Sequence, residues 1–136
     1  MATILVIEDD VHSANIIRRV LNKHGHTIVI ENEGLSGLKR ASQGDIDLIL
    51  LDLGLPDIGG HTIAALINRI PGDIPIVAVT GRTDEPTRKR AMTYGCDGYI
   101  TKPIDTRSFP SQIAAFLNGS KLSDTENGRA NLIHRG

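Results

Sequence analysis

Short apolar runs alternate along the chain with segments whose apolar residues recur at helical spacing. Five runs have the composition of buried strands, and they cover residues 4–7, 27–31, 46–51, 74–79 and 98–101. The spacing predicts helices over residues 11–24, 33–43, 60–70 and 84–94, followed by a last helix around residues 109–117. Neighbouring parallel strands need crossover connections, which helices supply. The pattern therefore predicts an α/β fold with a five-stranded parallel sheet and helices on both faces.

The same spacing predicts which face of each helix is buried. The residues expected inside on the first, second and last helices are, in that order, Ala14, Ile17 and Leu21; Leu35 and Leu38; and Phe109, Ile113, Phe116 and Leu117. The fourth helix has only Ala91 and Met92 as apolar residues before Tyr94. We therefore expect the fourth helix to be weakly anchored, as suits an element that shifts.

The periodic pattern stops after Asn118. Residues 119–136 are rich in Gly, Ser, Asn and Asp and are too few to bury a core of their own. The sequence thus predicts one domain over residues 1–118 and a flexible C-terminal tail over residues 119–136.

Composition narrows the class of protein. The 15 Lys and Arg against 16 Asp and Glu leave a net charge of −1, whereas a protein that grips nucleic acid through phosphates needs a basic surplus. The single cysteine, Cys96, excludes an internal disulfide and a cysteine zinc site, and we expect it to be a small buried residue. Apolar runs are far shorter than the ~20 residues of a membrane helix. We expect a soluble, cytoplasmic protein with neither a nucleic-acid nor a membrane partner.

Polar residues gather where the predicted strands end. In an open α/β sheet, ligands bind beyond the carboxyl ends of the strands. The residues that follow the first, third, fourth and fifth strands are, in that order, Glu8, Asp9 and Asp10; Asp52; Thr80; and Lys102. We interpret Asp10 as the N-cap of the first helix. The other three carboxylates repel one another unless a cation lies among them.

The charge and the donor atoms of this edge predict the cation. Together with Lys102, the three carboxylates leave two negative charges, which one divalent ion balances. An edge with oxygen ligands and neither histidine nor thiolate favours Mg²⁺. A carboxylate beside Mg²⁺ can attack phosphorus and form an aspartyl phosphate. We interpret Asp52 as this acceptor, Glu8 and Asp9 as the metal-holding pair, and Thr80 and Lys102 as groups that position the phosphoryl oxygens.

Four segments of the sequence resemble the signature segments of receiver domains of two-component response regulators. They are residues 4–10 (ILVIEDD), 51–56 (LDLGLP), 79–81 (VTG) and 99–103 (YITKP), and the resemblance runs from about residue 2 to residue 117. It implies a flavodoxin-like fold with strand order 2-1-3-4-5. It also implies that Asp52 takes a phosphoryl group from a phosphohistidine of a sensor histidine kinase or a histidine phosphotransfer protein. The metal ligands that it implies are Glu8, Asp9, Asp52 and the backbone carbonyl of Gly54.

The resemblance implies a switch rather than an enzyme, with self-catalysed phosphotransfer and autodephosphorylation only. Thr80 and Lys102 would contact the phosphoryl group, and the bond between Lys102 and Pro103 would be cis. Tyr99 would rotate inward when Thr80 moves toward the phosphoryl group. A downstream protein would bind the face of the fourth helix, fifth strand and fifth helix. Because residues 119–136 are too few for an effector domain, we expect a stand-alone receiver that signals by docking or passes phosphate along a relay.

Other functions remain open on the residues alone. A Mg²⁺-dependent phosphohydrolase of the haloacid dehalogenase type would also use Asp52 as nucleophile, but Gly54 stands where that class places its general acid. A flavodoxin-like nucleotide binder would meet repulsion between its phosphate and the acids after the first strand. A receiver fold kept as a scaffold would not need the acid pair, Thr80 and Lys102.

A few positions depart from the usual receiver pattern or need separate comment. Gly59 stands where an acid often precedes the last glycine of the loop, so the loop is expected to be looser unless Asp57 compensates. Gly54 and Arg82 are expected to tune how fast phosphate is lost. The histidines show no ligand spacing, and those before the tail are expected on the surface, namely His12, His24, His26 and His61.

Overall fold

The computed structural model describes residues 1–82, 84–119, 121–122 and 132–133. The main strands are β1 (Thr3–Ile7), β2 (Thr27–Glu31), β3 (Leu48–Asp52), β4 (Ile76–Thr80) and β5 (Gly98–Thr101). The helices are α1 (Val11–Asn22), α2 (Gly34–Ser42), α3 (Gly60–Ile67), α4 (Glu85–Thr93) and α5 (Phe109–Leu117). Within the described residues, the five main strands form one parallel sheet in the order β2-β1-β3-β4-β5. The predicted flavodoxin-like α/β fold and its strand order are confirmed.

Each face of the sheet carries its own layer of buried apolar side chains, because successive strand residues point to opposite faces. In β1, Leu5 and Ile7 join the layer beneath α2, α3 and α4, while Ile4 and Val6 join the layer beneath α1 and α5. The central strand β3 alternates in the same way. Burial on both faces explains why these strands are unbroken apolar runs in the sequence.

The register of the strands brings their carboxyl ends to one edge. Ile7 pairs with Leu51, so that the next residues, Glu8 and Asp52, emerge side by side. Thr80 follows the residue paired with Asp52, and it pairs in turn with the residue before Lys102. The polar residues that the sequence places after the strands therefore share this edge.

The helix faces agree with the sequence pattern except on α2. The expected residues of α1 are buried, and so are those of α5 apart from the half-buried Leu117. The expectation for Leu35 is wrong, since this side chain is 59% exposed and α2 instead buries Gly34, Gly37 and Ala41. A Cβ on Gly37 would lie 2.6 Å from Ile7 Cδ1, so α2 lies too close to β1 for a larger residue there.

Element ends differ from the predicted ones by a few residues. β3 begins at Leu48, and just before it Asp47 bonds to Thr3, whose backbone N–H donates to Asp47 Oδ2 at 2.8 Å. β4 begins at Ile76 because Pro75 has no N–H to donate to a ladder. α3 ends at Ile67, and residues 69 and 70 continue it as tighter turns, with N–H groups that donate to carbonyls three residues back.

Two further two-residue strands, β6 (Lys121–Leu122) and β7 (Leu132–Ile133), pair antiparallel. The predicted flexible tail falls mostly outside the described residues and stays a prediction. In the part of the chain that the structure describes, no helix has the length and apolar character needed to cross a membrane.

Candidate functional site

Three carboxylates meet at the carboxyl ends of β1 and β3. Glu8 and Asp9 follow β1, Asp52 ends β3, and one ligand oxygen from each lies within 4.8 Å of the other two. Glu8 is 2% exposed, Asp52 is half-buried and Asp9 is exposed. Asp10 stays out of this cluster because its side chain caps α1, accepting hydrogen bonds from the backbone N–H groups of His12 and Ser13.

Lys102 reaches into the cluster from the end of β5. Its Nζ lies 2.5 Å from Glu8 Oε1, while Glu8 Oε2 accepts a hydrogen bond from the backbone N–H of Asp10 at 3.2 Å. Burial works against the charged form of Lys102, but hydrogen bonding to Glu8 and the charge of Asp52 outweigh it and raise the pKa of the ammonium. Lys102 is therefore protonated at neutral pH and balances one of the three acids.

Asp52 lies in a crowded acidic environment. Burial raises the pKa of its carboxyl, and the neighbouring Glu8 raises it further. The backbone N–H of Gly54 opposes this shift by donating to Asp52 Oδ1 at 3.1 Å. A raised pKa means that the anion of Asp52 is disfavoured as the site stands, so a cation bound among these oxygens would stabilise it.

The ends of β4 and β5 form the other half of the site. The backbone N–H of Lys102 donates to the carbonyl of Thr80 at 2.8 Å, which fixes the two strand ends against each other. Thr80 is 5% exposed, and the peptide bond between Lys102 and Pro103 is cis.

The side chains of Thr80 and Tyr99 are both hydrogen-bonded to the backbone of Arg82. Thr80 Oγ1 accepts from the N–H of Arg82 at 3.2 Å, and the Tyr99 hydroxyl donates to the carbonyl of Arg82. Tyr99 is 1% exposed, so its ring points inward, and the Arg88 guanidinium lies 5.8 Å from the ring centroid. A movement of Thr80 would therefore act on the same backbone segment that holds Tyr99.

The helix that follows Arg82 is weakly anchored, as predicted from its sequence. The buried residues of α4 are Thr87 and Ala91, one polar and one small. Asp84 caps the helix, and the Thr87 hydroxyl and the Arg82 guanidinium lower the pKa of Asp84 to about 2. This limited apolar burial is what the sequence predicts for α4, and it suits an element that shifts.

The expectation that the histidines lie on the surface is wrong for His26 and His61, which are half-buried. His26 Nδ1 accepts from the backbone N–H of Ala2 at 3.3 Å, and His61 packs edge-on against Tyr94 at a centroid distance of 5.6 Å. Burial lowers the pKa of both imidazoles.

Cys96 is buried as expected, and burial raises the pKa of its thiol to about 12, which rules it out as a nucleophile at neutral pH.

The sequence pattern does not predict two of the contacts around the site. Asp57, in the loop after β3, bonds to the start of α2, and Arg88 stacks on Tyr99. The basic run 88–90 is typical of a solvated helix face, so nothing in it points to Tyr99. Asp57 and its partners lie 22 and 23 residues apart, beyond the reach of any local pattern.

Known proteins resemble this chain in sequence. The family model of the response regulator receiver domain matches residues 4–114. The response regulator ArlR of Staphylococcus epidermidis is 36% identical over 117 residues, covering 86% of this chain and 53% of ArlR. An uncharacterised transcriptional regulatory protein, YkoG of Bacillus subtilis, is 29% identical over 123 residues, covering 89% of this chain and 54% of YkoG. The chain thus spans about half the length of these curated relatives.

A solved structure supports the same assignment at the level of the fold. The CheY-like response regulator receiver domain protein from Methanospirillum hungatei JF-1 superposes with a TM-score of 0.82, and the match covers 88% of this chain and 95% of that one. At 24% sequence identity, this likeness establishes the fold alone. Receivers are typically phosphoacceptor switches rather than catalysts, and they imply a partner histidine kinase. The family model and the acidic cluster agree, and the chain belongs to the response regulator receiver domains of two-component signalling.

Proposed function

We propose that this chain is a phosphorylation-operated switch in which Asp52 accepts a phosphoryl group from a phosphohistidine of a histidine kinase or a histidine phosphotransfer protein. One observation carries the proposal: Asp52 lies with Glu8 and Asp9 within 4.8 Å, and Lys102 is ion-paired to the same cluster. Phosphoryl transfer requires a divalent cation and positive groups that stabilise the phosphoryl oxygens. The acids would bind the cation, and Lys102 would attract the phosphoryl oxygens.

The residues fit Mg²⁺. The donors are carboxylate oxygens, which Mg²⁺ prefers, and the raised pKa of Asp52 marks negative charge that the protein leaves uncompensated. Glu8, Asp9 and Asp52 would hold the ion, with the backbone carbonyl of Gly54 as a further ligand. When bound, the ion supplies positive charge that screens the acids from the incoming phosphoryl group.

The chain's own residues account for the transfer step. A carboxylate oxygen of Asp52 attacks the phosphorus, a P–O bond forms to Asp52, and the bond from phosphorus to the histidine nitrogen breaks. The nitrogen keeps the bonding electron pair, and because the other ring nitrogen of the phosphohistidine carries a proton, the histidine leaves as neutral imidazole. The Lys102 ammonium and the Thr80 hydroxyl would bind the phosphoryl oxygens, since both groups border the cluster on neighbouring strand ends.

A groove beside Lys102 supports a protein as the phosphodonor. It has a volume of about 390 Å³, and it lies between α1 and the loop after β5. Its lining is mainly apolar, with the polar groups of His12 and Ser13 from α1 at one side. The lining residues are His12, Ser13, Ile16, Lys102, Pro103 and Ile104. A partner seated here would hold its phosphohistidine beside Lys102, which is ion-paired to the acidic cluster.

The output is a change of surface on the face of α4, β5 and α5. Phosphoryl oxygens would draw the Thr80 hydroxyl away from the N–H of Arg82, and this change would pass to Tyr99 through the carbonyl of the same residue. Weak anchoring of α4 lets the face respond. Use as a stand-alone receiver stays a prediction from the sequence.

Phosphorylation by a small donor tests the proposal. With Mg²⁺ and acetyl phosphate, the chain is expected to gain the mass of one phosphoryl group, and removing Mg²⁺ with a chelator should slow this gain about tenfold or more. Intact mass spectrometry over time measures it. An unchanged rate in chelator would contradict the metal requirement, and rapid steady release of phosphate from phosphate monoesters would favour the phosphohydrolase instead.

Replacing Lys102 by arginine is expected to preserve Mg²⁺ binding and abolish the conformational response of Tyr99. Arginine keeps the positive charge but its planar guanidinium does not reproduce a compact ammonium. Because the positive charge beside the acids is kept, we expect Mg²⁺ affinity to change by less than about threefold. The response of Tyr99 to beryllofluoride should be lost. Tyrosine fluorescence measures this response in a Tyr94→Phe background, which leaves Tyr99 as the one tyrosine of the chain.

The matched control is Lys89→Arg, on the exposed side of α4. It makes the same exchange away from the cluster, so the response of Tyr99 should equal that of the parent. A full response in Lys102→Arg would remove Lys102 from the switching mechanism.

A further inference from the structure

The start of α2 is capped by a residue from a different loop. Glu33 precedes the helix, but its side chain makes no capping hydrogen bond. Instead, Asp57 accepts from the backbone N–H of Gly34 through Oδ1 at 2.8 Å and from that of Leu35 through Oδ2 at 3.0 Å. Both oxygens of one carboxylate are thus used on the first two amides of the helix.

The loop that carries Asp57 begins at the proposed phosphoacceptor. It runs over residues 53–59 between Asp52 and α3, and its Gly54 N–H donates to Asp52 Oδ1 at 3.1 Å. A continuous series of bonds therefore leads from the amides of α2 through Asp57 and the loop backbone to the Asp52 carboxylate.

Packing beside Asp57 strengthens the attachment of the loop to α2. Ile58 lies against the first residue of the helix, where a Cβ on Gly34 would come within 2.5 Å of Ile58 Cγ2. The amides of Leu35 and Gly34 also lower the pKa of Asp57, which keeps its carboxylate ionised at the positive end of the helix dipole. The loop is therefore fixed to α2 by an apolar contact and a charged one.

We infer that Asp57 is a positioning residue for the metal site: by fastening the loop to α2 it holds Gly54 in place, and through Gly54 it orients the Asp52 carboxylate. The inference rests on the proposed function, because it concerns the Mg²⁺ affinity of the same cluster. The inference also says how Asp57 compensates for the looser loop expected from Gly59. Asp57 ties the loop to α2 through hydrogen bonds that leave the loop.

The test compares Asp57→Ala and Asp57→Asn with the parent chain. Outer-shell groups that orient a ligand contribute about tenfold to metal affinity, and we expect Asp57→Ala to weaken Mg²⁺ binding by about that factor. Asp57→Asn keeps one acceptor oxygen and should lose less. Mg²⁺ titration followed on the Gly54 amide resonance measures the affinity, well below each variant's unfolding temperature. Amide hydrogen exchange should be faster in Asp57→Ala at Gly34, at Leu35 and at the loop residues that carry an N–H, namely 54, 55, 57 and 58.

The control is Ala41→Gly, which weakens α2 at its buried last turn and leaves Asp57 and its hydrogen bonds to α2 unchanged in sequence. It should lower the unfolding temperature and leave Mg²⁺ affinity as in the parent. Equal loss of affinity in Ala41→Gly and Asp57→Ala would overturn the inference, because general weakening of α2 would then explain both. Unchanged affinity and loop exchange in Asp57→Ala would also overturn it, while the proposed function stands. A parent chain that binds no Mg²⁺ would overturn both.

Discussion

Asp52→Asn is expected to reduce phosphorylation by acetyl phosphate to below about one per cent of the wild-type rate, because loss of the attacking group removes the covalent step. Asparagine has nearly the same shape, so the fold should be kept. The substitution also removes one negative charge from a cluster in which Glu8 and burial already disfavour the anion. We therefore expect the Mg²⁺-free variant to unfold a few degrees above the wild type. Intact mass spectrometry and thermal denaturation measure the two effects.

The control for this prediction is Asp45→Asn, at an exposed aspartate just after α2. It makes the same chemical change before the amino-terminal end of β3, at the opposite edge of the sheet from Asp52, so its phosphorylation rate should equal that of the wild type. Phosphorylation of Asp52→Asn at the wild-type rate would show that another side chain is the acceptor.

Gly60→Ala is expected to have the largest effect on stability among the glycines next to the site. A Cβ here would lie 2.5 Å from the Cα of Leu53 and 2.8 Å from the carbonyl oxygen of Asp52, and backbone atoms cannot move aside as a side chain can. Overpacking of this kind costs about 2 kcal/mol, which would lower the unfolding temperature by roughly 5–10 °C. Because the clash displaces the end of β3, phosphorylation at low temperature should also slow about tenfold.

The neighbouring residue supplies the matched control. An added Cβ on Gly59 meets no atom within 4 Å, and its backbone angles (φ −58°, ψ 138°) suit any residue. Gly59→Ala should change stability by less than about 1 kcal/mol, because a less flexible unfolded chain offsets the loss of glycine at the N-cap of α3. Equal destabilisation in both variants would mean that flexibility of the loop, rather than close approach at Gly60, sets the requirement for glycine.

The order of elements could be predicted because four of the five main strands are largely buried and most helices are followed by a recognisable stop residue. The face of α2 could not. Leu35 has the sequence spacing of a core residue, yet the short distance between α2 and Ile7 turns Gly37 inward and Leu35 outward. That distance is set by packing across the sheet, and helical periodicity does not contain it.

The candidate site divides in a similar way. The residue types at the strand ends predict a divalent cation near Asp52, because parallel strands must present their carboxyl ends together. The ion pair of Lys102 with Glu8 and the bonds of Asp57 to α2 depend on three-dimensional distances between remote segments. No residue spacing along the sequence predicts these contacts, and they become visible only in the folded chain.

The link between Thr80 and Tyr99 runs through main-chain atoms of Arg82, not through its side chain. That side chain forms an exposed ion pair with Asp84, a type of contact that contributes little free energy. In the proposed switch, sequence drift at position 82 would therefore alter the chemistry at the entrance of the site, and with it the rate of phosphate loss, without removing the main-chain hydrogen bonds that join Thr80 to Tyr99. The lifetime of the phosphorylated state and its transmission to Tyr99 would then be separately adjustable.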